Sequence, residues 1–318
     1  MSASATSASS WLRQARRPPA PSAHAVLMAV VILALALGSG GSSGISLPAG
    51  SAAAANGPAA ATMSESAAFQ SDAHQLEARY AGNPAALREV GRTALATGRN
   101  EATIAGFLRL RWVARLDAGL ERYGASLAVS DPAQLALVVA GLAHYSAEIH
   151  RGLLYDGPSR LIIVSVQGQR LVAYDNGRTV LDTPVTTGRP SLPTDIGAMR
   201  VLRKDAPWTM QSPWPKGSPE WYPDTPVQMV LWFTANGEGL HDASWQPDST
   251  LGPGSQNGPF ASHGCIHLTL AAVRTLFDWA PLGAPVVVYP GDGSPLAVQE
   301  TQQSVDAAGN PVSGVRGA

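Results

Sequence analysis

One cysteine is present among 318 residues. A single thiol can neither close an internal disulfide nor build a multi-thiolate zinc site, so neither device holds this fold together. Charge is scarce as well: Asp, Glu, Lys and Arg make up 14% of the chain, and the formal net charge is −1. With no basic stripe to release counterions from phosphates, no nucleic-acid partner is expected. Gly and Pro are plentiful, at 32 and 25 residues, which favours a loop-rich β architecture over a helical bundle. The length leaves room for one or two domains with a real core.

The N-terminus has the order of an export signal. Arg13, Arg16 and Arg17 precede an uncharged apolar run of 13 residues, Ala25–Leu37. A membrane span needs about 20 apolar residues, so a cleaved signal peptide over residues 1–40 is favoured over a permanent membrane anchor. Gly, Ser and Ala then dominate, and residues 41–63 are expected to form a low-complexity linker. Residues 291–318 are rich in Gly, Ser, Gln and Pro and are expected to be a disordered tail.

Between these ends the pattern changes once. Over residues 64–150, Ile104, Phe107, Leu108, Trp112, Leu116, Leu120 and Tyr123 recur three and four apart, the stripe of a helix face. Asp131-Pro132 suits the cap and first turn of a second helix through Leu135, Val138, Val139 and Leu142. No chemistry is visible there, and a small α-helical accessory domain is expected.

From residue 159 the runs are short and β-branched: Leu161–Val166, Arg170–Tyr174, Arg178–Val185, Met199–Arg203, Val227–Phe233 and Pro285–Tyr289. Asn176-Gly177 suits a tight hairpin, because both central positions need positive φ. One helix is expected over Leu270–Trp279, capped by Thr269, with Val273, Leu276 and Phe277 inward. The expected architecture over residues 159–290 is a mainly β catalytic domain, a sandwich or barrel with one or two helices.

The chemistry is concentrated between His241 and His267, a window that holds three of the seven histidines and the only cysteine. A thiolate is a good nucleophile towards a carbonyl, but a free thiol near pKa 8.5 is mostly protonated at neutral pH. A histidine can take that proton and return it to a leaving amine, and a further acceptor must fix the histidine's tautomer. Cys265 flanked by His241, His263 and His267 supplies these parts. Gly264 lets backbone approach a substrate closely. The same histidines with Asp242 could instead be read as a zinc site, with the cysteine a ligand or idle. Trp208, Trp214, Trp221, Tyr222 and Trp232, interleaved with prolines, read either as a lid or as packing against the sheet. Trp245 and the stretch Pro247–Pro259 are expected to link the two halves of the site.

The ordered set resembles the L,D-transpeptidase family. His241 is followed by Ser262-His263-Gly264-Cys265-Ile266-His267, matching that family's spaced histidine and Ser/Thr-His-Gly-Cys signature. Pro193–Gly197, after Thr187-Gly188-Arg189, and Trp279–Val288 are similar to its recurrent strand-turn element and its closing helix and strand. The resemblance implies Cys265 as nucleophile and His241 as proton donor and acceptor. It implies that Asp242 orients His241 through its backbone carbonyl. Ser262, His263 and Gly264 would shape the oxyanion and substrate-positioning segment, with no metal and no cofactor. At His267 the family often has Asn, which leaves the substrate contact there open.

The implied function is an exported enzyme that cross-links peptidoglycan stem peptides 3→3 through a thioester on Cys265, releasing D-alanine. Carbapenem β-lactams would be inhibitors. The rivals are an L,D-carboxypeptidase with water as acceptor and a catalytically idle wall-binding module. The helical region, lacking any reacting residue, is expected to be dispensable for acylation.

Overall fold

The protein is described from a computed structural model that covers residues 67–291. The signal segment, the linker, residues 64–66 and all but the first residue of the tail lie outside the described residues.

Four helices come first: α1 (Ala67–Arg79), α2 (Pro84–Phe107), α3 (Val113–Gly124) and α4 (Pro132–Tyr155). The Asp131 carboxylate caps α4 by accepting from the Ala133 N–H at 3.3 Å. The single apolar stripe expected across Ile104–Tyr123 is in fact broken. The chain turns after Phe107, with Arg109 at φ 58°, and restarts at Val113. Gly106 lies in the last turn before the break, its carbonyl accepting from the Arg109 N–H at 2.9 Å, but the apolar spacing runs on across it, so periodicity alone could not find the turn. The glycine at position 152 of α4 permits a close approach. A Cβ there would lie 2.2 Å from the Trp112 ring, so the ring packs directly on the helix backbone.

The strands are β1 (Arg160–Ser165), β2 (Arg170–Asp175), β3 (Arg178–Pro184), β4 (Gly197–Arg200), β5 (Arg203–Asp205), β6 (Trp208–Met210), β7 (Thr225–Val227), β8 (Val230–Trp232), β9 (Gly239–Asp242), β10 (Ile266–Leu268) and β11 (Pro285–Tyr289). Helix α5 (Leu270–Trp279) precedes β11. Two mixed sheets result, ordered β3-β2-β1-β11-β4 and β10-β9-β8-β5, with β6 and β7 forming a separate ribbon. Pairs β1/β11 and β9/β10 are parallel and the others antiparallel. Asn176 and Gly177, at φ 47° and 77°, make the two-residue turn between β2 and β3. The strand expected over Met199–Arg203 divides into β4 and β5, which belong to different sheets.

The five-stranded sheet is covered on both faces. Ile162, Val164, Val286 and Val288 join Leu231, Leu240, Ile266 and Leu276 in a core between the sheets and α5. The alternate residues Leu161, Ile163 and Val287 join Leu120, Leu142, Ile149 and Leu153 in a second core beneath the helices. The division between residues 150 and 159 is thus a change of element type, across which one apolar core is continuous.

Leu153, 1% exposed in that shared core, offers a test. Leu153→Ala should cost about 2–5 kcal/mol, the range for a large-to-small core change. Far-UV dichroism and tryptophan fluorescence should report one coincident unfolding transition in urea. Two separated transitions would show that the helices and sheets fold independently.

Candidate active site

The site is built on the pairing of β9 with β10. In their parallel register Leu240 lies beside Ile266, His241 beside His267 and Asp242 beside Leu268. Side chains alternate between the faces of a strand. Leu240, Ile266 and Leu268 therefore enter the inter-sheet core, while His241 and His267 share the opposite face and Cys265, just ahead of β10, lines the same cavity. The histidine rings lie 5.0 Å apart between centroids.

Each side chain is held by named bonds. His241 is 2% exposed, and its Nδ1 is 2.8 Å from the Asp242 carbonyl oxygen, so Nδ1–H donates and Nε2 carries the lone pair. The Asp242 carboxylate is engaged elsewhere, accepting from the Gln228 and Met229 N–H groups at 2.8 and 3.0 Å. The Cys265 sulfur accepts from the Gly239 N–H at 3.4 Å and faces the Gly237 carbonyl at 3.9 Å. His267 Nδ1 lies 2.9 Å from Gln246 Oε1, and Gln246 Nε2 donates to Thr186 Oγ1 at 2.7 Å.

The loop entering Cys265 is tied down on three sides. Ser262 Oγ donates to the Cys265 carbonyl and accepts from the Gly264 N–H, the latter at 3.1 Å. Thr194 Oγ1 donates to the Gly264 carbonyl at 2.6 Å. Gly264 adopts φ 121°, and a Cβ there would lie 2.8 Å from Glu238 Oε1, so only glycine fits without displacement. The Gly264 N–H is thus occupied within the loop rather than pointed at a substrate.

A cavity of about 370 Å³ brings Cys265, His241, His267, His263 and Ser262 together with Trp245 and Phe260. The segment read as a lid or as packing divides between lining the cavity and packing on the sheet. Met210, Tyr222, Pro223 and Thr225 of the β6–β7 region line the cavity. Trp208, in contrast, packs edge-on against Trp232, with Arg203 stacked on both rings. His263 lies between Trp214 and Tyr222, at 5.4 and 5.1 Å. Its Nε2 is 3.3 Å from Glu220 Oε2. Gln246 and Glu220 are not singled out in the sequence, and Arg189 reads there only as part of the strand-turn element Thr187-Gly188-Arg189, not as a site residue. Among the described residues, no group of three His, Cys, Asp or Glu side chains is arranged to hold a metal ion.

The family model of the L,D-transpeptidase catalytic domain matches residues 159–288. Over this segment, less than half of its length, the chain is similar to L,D-transpeptidase catalytic domains. L,D-transpeptidase 1 of Mycobacterium tuberculosis is 27% identical over 135 residues, 42% of this chain and 51% of that protein. Probable L,D-transpeptidase 3 of the same species is 31% identical over 108 residues, 33% of this chain and 37% of that protein. A solved structure of the catalytic domain from E. faecium L,D-transpeptidase is 28% identical, covering 41% of this chain and 96% of that one, with a TM-score of 0.36. The chain spans about half the length, or less, of the curated relatives named.

In this cavity Cys265, His241 and His267 are shifted towards their uncharged forms. Burial is the main reason that the His241 imidazole titrates below its usual range, with the Asp242 carbonyl partly opposing it. His267 is held well below by burial and by its neighbours His241, His263 and Arg189. Burial pushes the Cys265 thiol up to about 12, against the donation from Gly239. A neutral thiol and a neutral imidazole in one cavity are therefore the resting arrangement.

That arrangement fixes a pH profile. Alkylation of Cys265 by iodoacetamide requires the thiolate, so its rate should keep rising through pH 9–11, towards the thiol's value of about 12. A plateau reached near pH 7 would instead reveal a preformed thiolate–imidazolium pair.

Proposed function

We propose that this chain is an exported L,D-transpeptidase that forms 3→3 peptidoglycan cross-links by acyl transfer through Cys265. One observation carries the reading: His241 of β9 and Cys265, the residue just ahead of β10, line one cavity, with a backbone N–H on the sulfur. Export is supported by the basic residues ahead of Ala25–Leu37.

The chemistry follows from the bonds present. Cys265 attacks the L-centre carbonyl of a tetrapeptide stem while His241 Nε2 takes the thiol proton. The C–S bond forms, the C–N bond breaks, and His241 returns the proton to the departing D-alanine amine. An amine from a second stem then attacks the thioester. His241 receives the proton of that amine and passes it to the leaving sulfur. The Asp242 carbonyl keeps Nδ1 protonated throughout, so Nε2 always faces the reaction.

Purified disaccharide-tetrapeptide incubated with the protein should yield a cross-linked dimer by mass spectrometry. A trimmed tripeptide would make the enzyme a carboxypeptidase, and no product would leave a wall-binding module. Cys265→Ala should abolish product, and His241→Ala should slow acylation by about 10²–10⁴-fold. Because burial lowers the titration of His241 from its usual 6.5, acylation should persist at pH 6.5 and be lost only in more acid solution. A carbapenem should add one inhibitor mass to the peptide containing Cys265, since a thiolate opens the strained lactam, and none to Cys265→Ala.

A further inference from the structure

Arg189 is the only Lys or Arg among the residues lining the cavity of Cys265, and no Asp or Glu is among them. It also lines an adjoining cavity of about 380 Å³, again as the only charged group, beside Gln256 and Asn257. Its guanidinium is fixed to the strand-like segment that leads to the nucleophile. Nη2 donates to the Ala261 carbonyl at 3.0 Å and Nε to the Ser262 carbonyl at 3.3 Å. The Arg189 backbone N–H also donates to the Ser262 carbonyl, at 3.0 Å. The remaining bond runs from Nη1 to Glu220 Oε2 at 3.2 Å, and that same oxygen lies 3.3 Å from His263 Nε2.

A cation with a side chain only 30% exposed is expensive to desolvate unless an anion meets it. Carbonyl oxygens anchor the guanidinium but do not neutralise it. In this structure the anion is a carboxylate that the chain itself supplies, from the segment between β6 and β7. Any peptide entering the cavity from that side meets a fixed positive charge whose geometry already suits a carboxylate.

We propose that Arg189, seconded by His263, is a carboxylate-recognition subsite for the donor peptide, and that Glu220 holds the position a substrate carboxylate takes. The inference rests on the acyl-transfer reading and narrows its substrate class: the donor carries a free carboxylate within one residue of the attacked carbonyl. Two carboxylates have that chemistry, the C-terminal one of the leaving residue and a side-chain one on the residue that is attacked. Arg189 and His263 contribute binding and position, while Cys265 and His241 perform the bond changes.

The test uses the full chain and three soluble tetrapeptide stems. One has both carboxylates free, one is a C-terminal primary amide, and one is amidated only at the side-chain carboxylate of residue three. Release of the terminal residue and cross-linked product are followed by mass spectrometry, and kcat and KM are obtained separately. One amidation should raise KM by about 10- to 100-fold, the range for losing a hydrogen bond to a charged group, and should identify which carboxylate is read. In Arg189→Gln the ratio between free and amidated stems should collapse towards one. Arg189→Lys should restore part of it, because the charge returns without the two-pronged geometry. Glu220→Gln should raise the ratio, because the competing carboxylate is gone. Equal turnover of all three stems by the wild-type protein would overturn this inference alone, and that comparison needs no variant to fold. An undiminished ratio in Arg189→Gln would overturn it too. Turnover of no stem would overturn the acyl-transfer reading, and this inference with it.

Discussion

The arrangement of the site depends on one strand pairing. β9 and β10 run parallel with Leu240 beside Ile266 and His241 beside His267. Because side chains alternate faces, a slip of one residue would carry the histidines into the core and Leu240 or Ile266 into the cavity. The register is held from both sides. Leu240 and Ile266 are fully buried between the sheets, and Thr186 exchanges backbone hydrogen bonds with His267 at 2.8 and 3.1 Å on the flank away from β9. His241 and His267 thus inherit their positions from apolar burial on the reverse of the same strands.

The second sheet explains why a chain with so few charges can be stable. β1 and β11 are buried on both faces and read as nearly continuous apolar runs, as expected for strands sandwiched between layers. The helices are therefore one of the two layers that make the central strands possible. Helix glycines serve the same end: at 141 and 152 they admit the rings of Tyr123 and Trp112 against the α4 backbone.

Electrostatically, the cavity separates a quiet centre from a charged rim. Cys265, His241 and His267 are all shifted by burial towards their neutral forms. Formal charge sits at the edge, where Arg189 meets Glu220 beside His263, whose imidazole burial also shifts towards neutral. A buried neutral pair costs less to maintain than a buried charged one. The rim can exchange one carboxylate for another without disturbing that centre.

The sequence by itself determined the chemical inventory and the strongest local elements. One thiol stands in a Ser-His-Gly-Cys segment downstream of His241. Asp131 and Thr269 cap their helices, Asn176-Gly177 turns its hairpin, and the runs at β1 and β11 declare buried strands. These features were legible because each is encoded within a few adjacent residues. The tertiary structure alone decided the rest. β9 and β10, four and three residues long, carry too little periodicity to be read as strands. The break after Phe107 interrupts an apolar spacing that continues across it, which hides the signal of Gly106. Arg189 reaches Ser262 across 73 positions, and Gln246 reaches Thr186 across 60. Contacts at such separations depend on how the loops close around a common core, a property of the folded chain as a whole rather than of any segment within it.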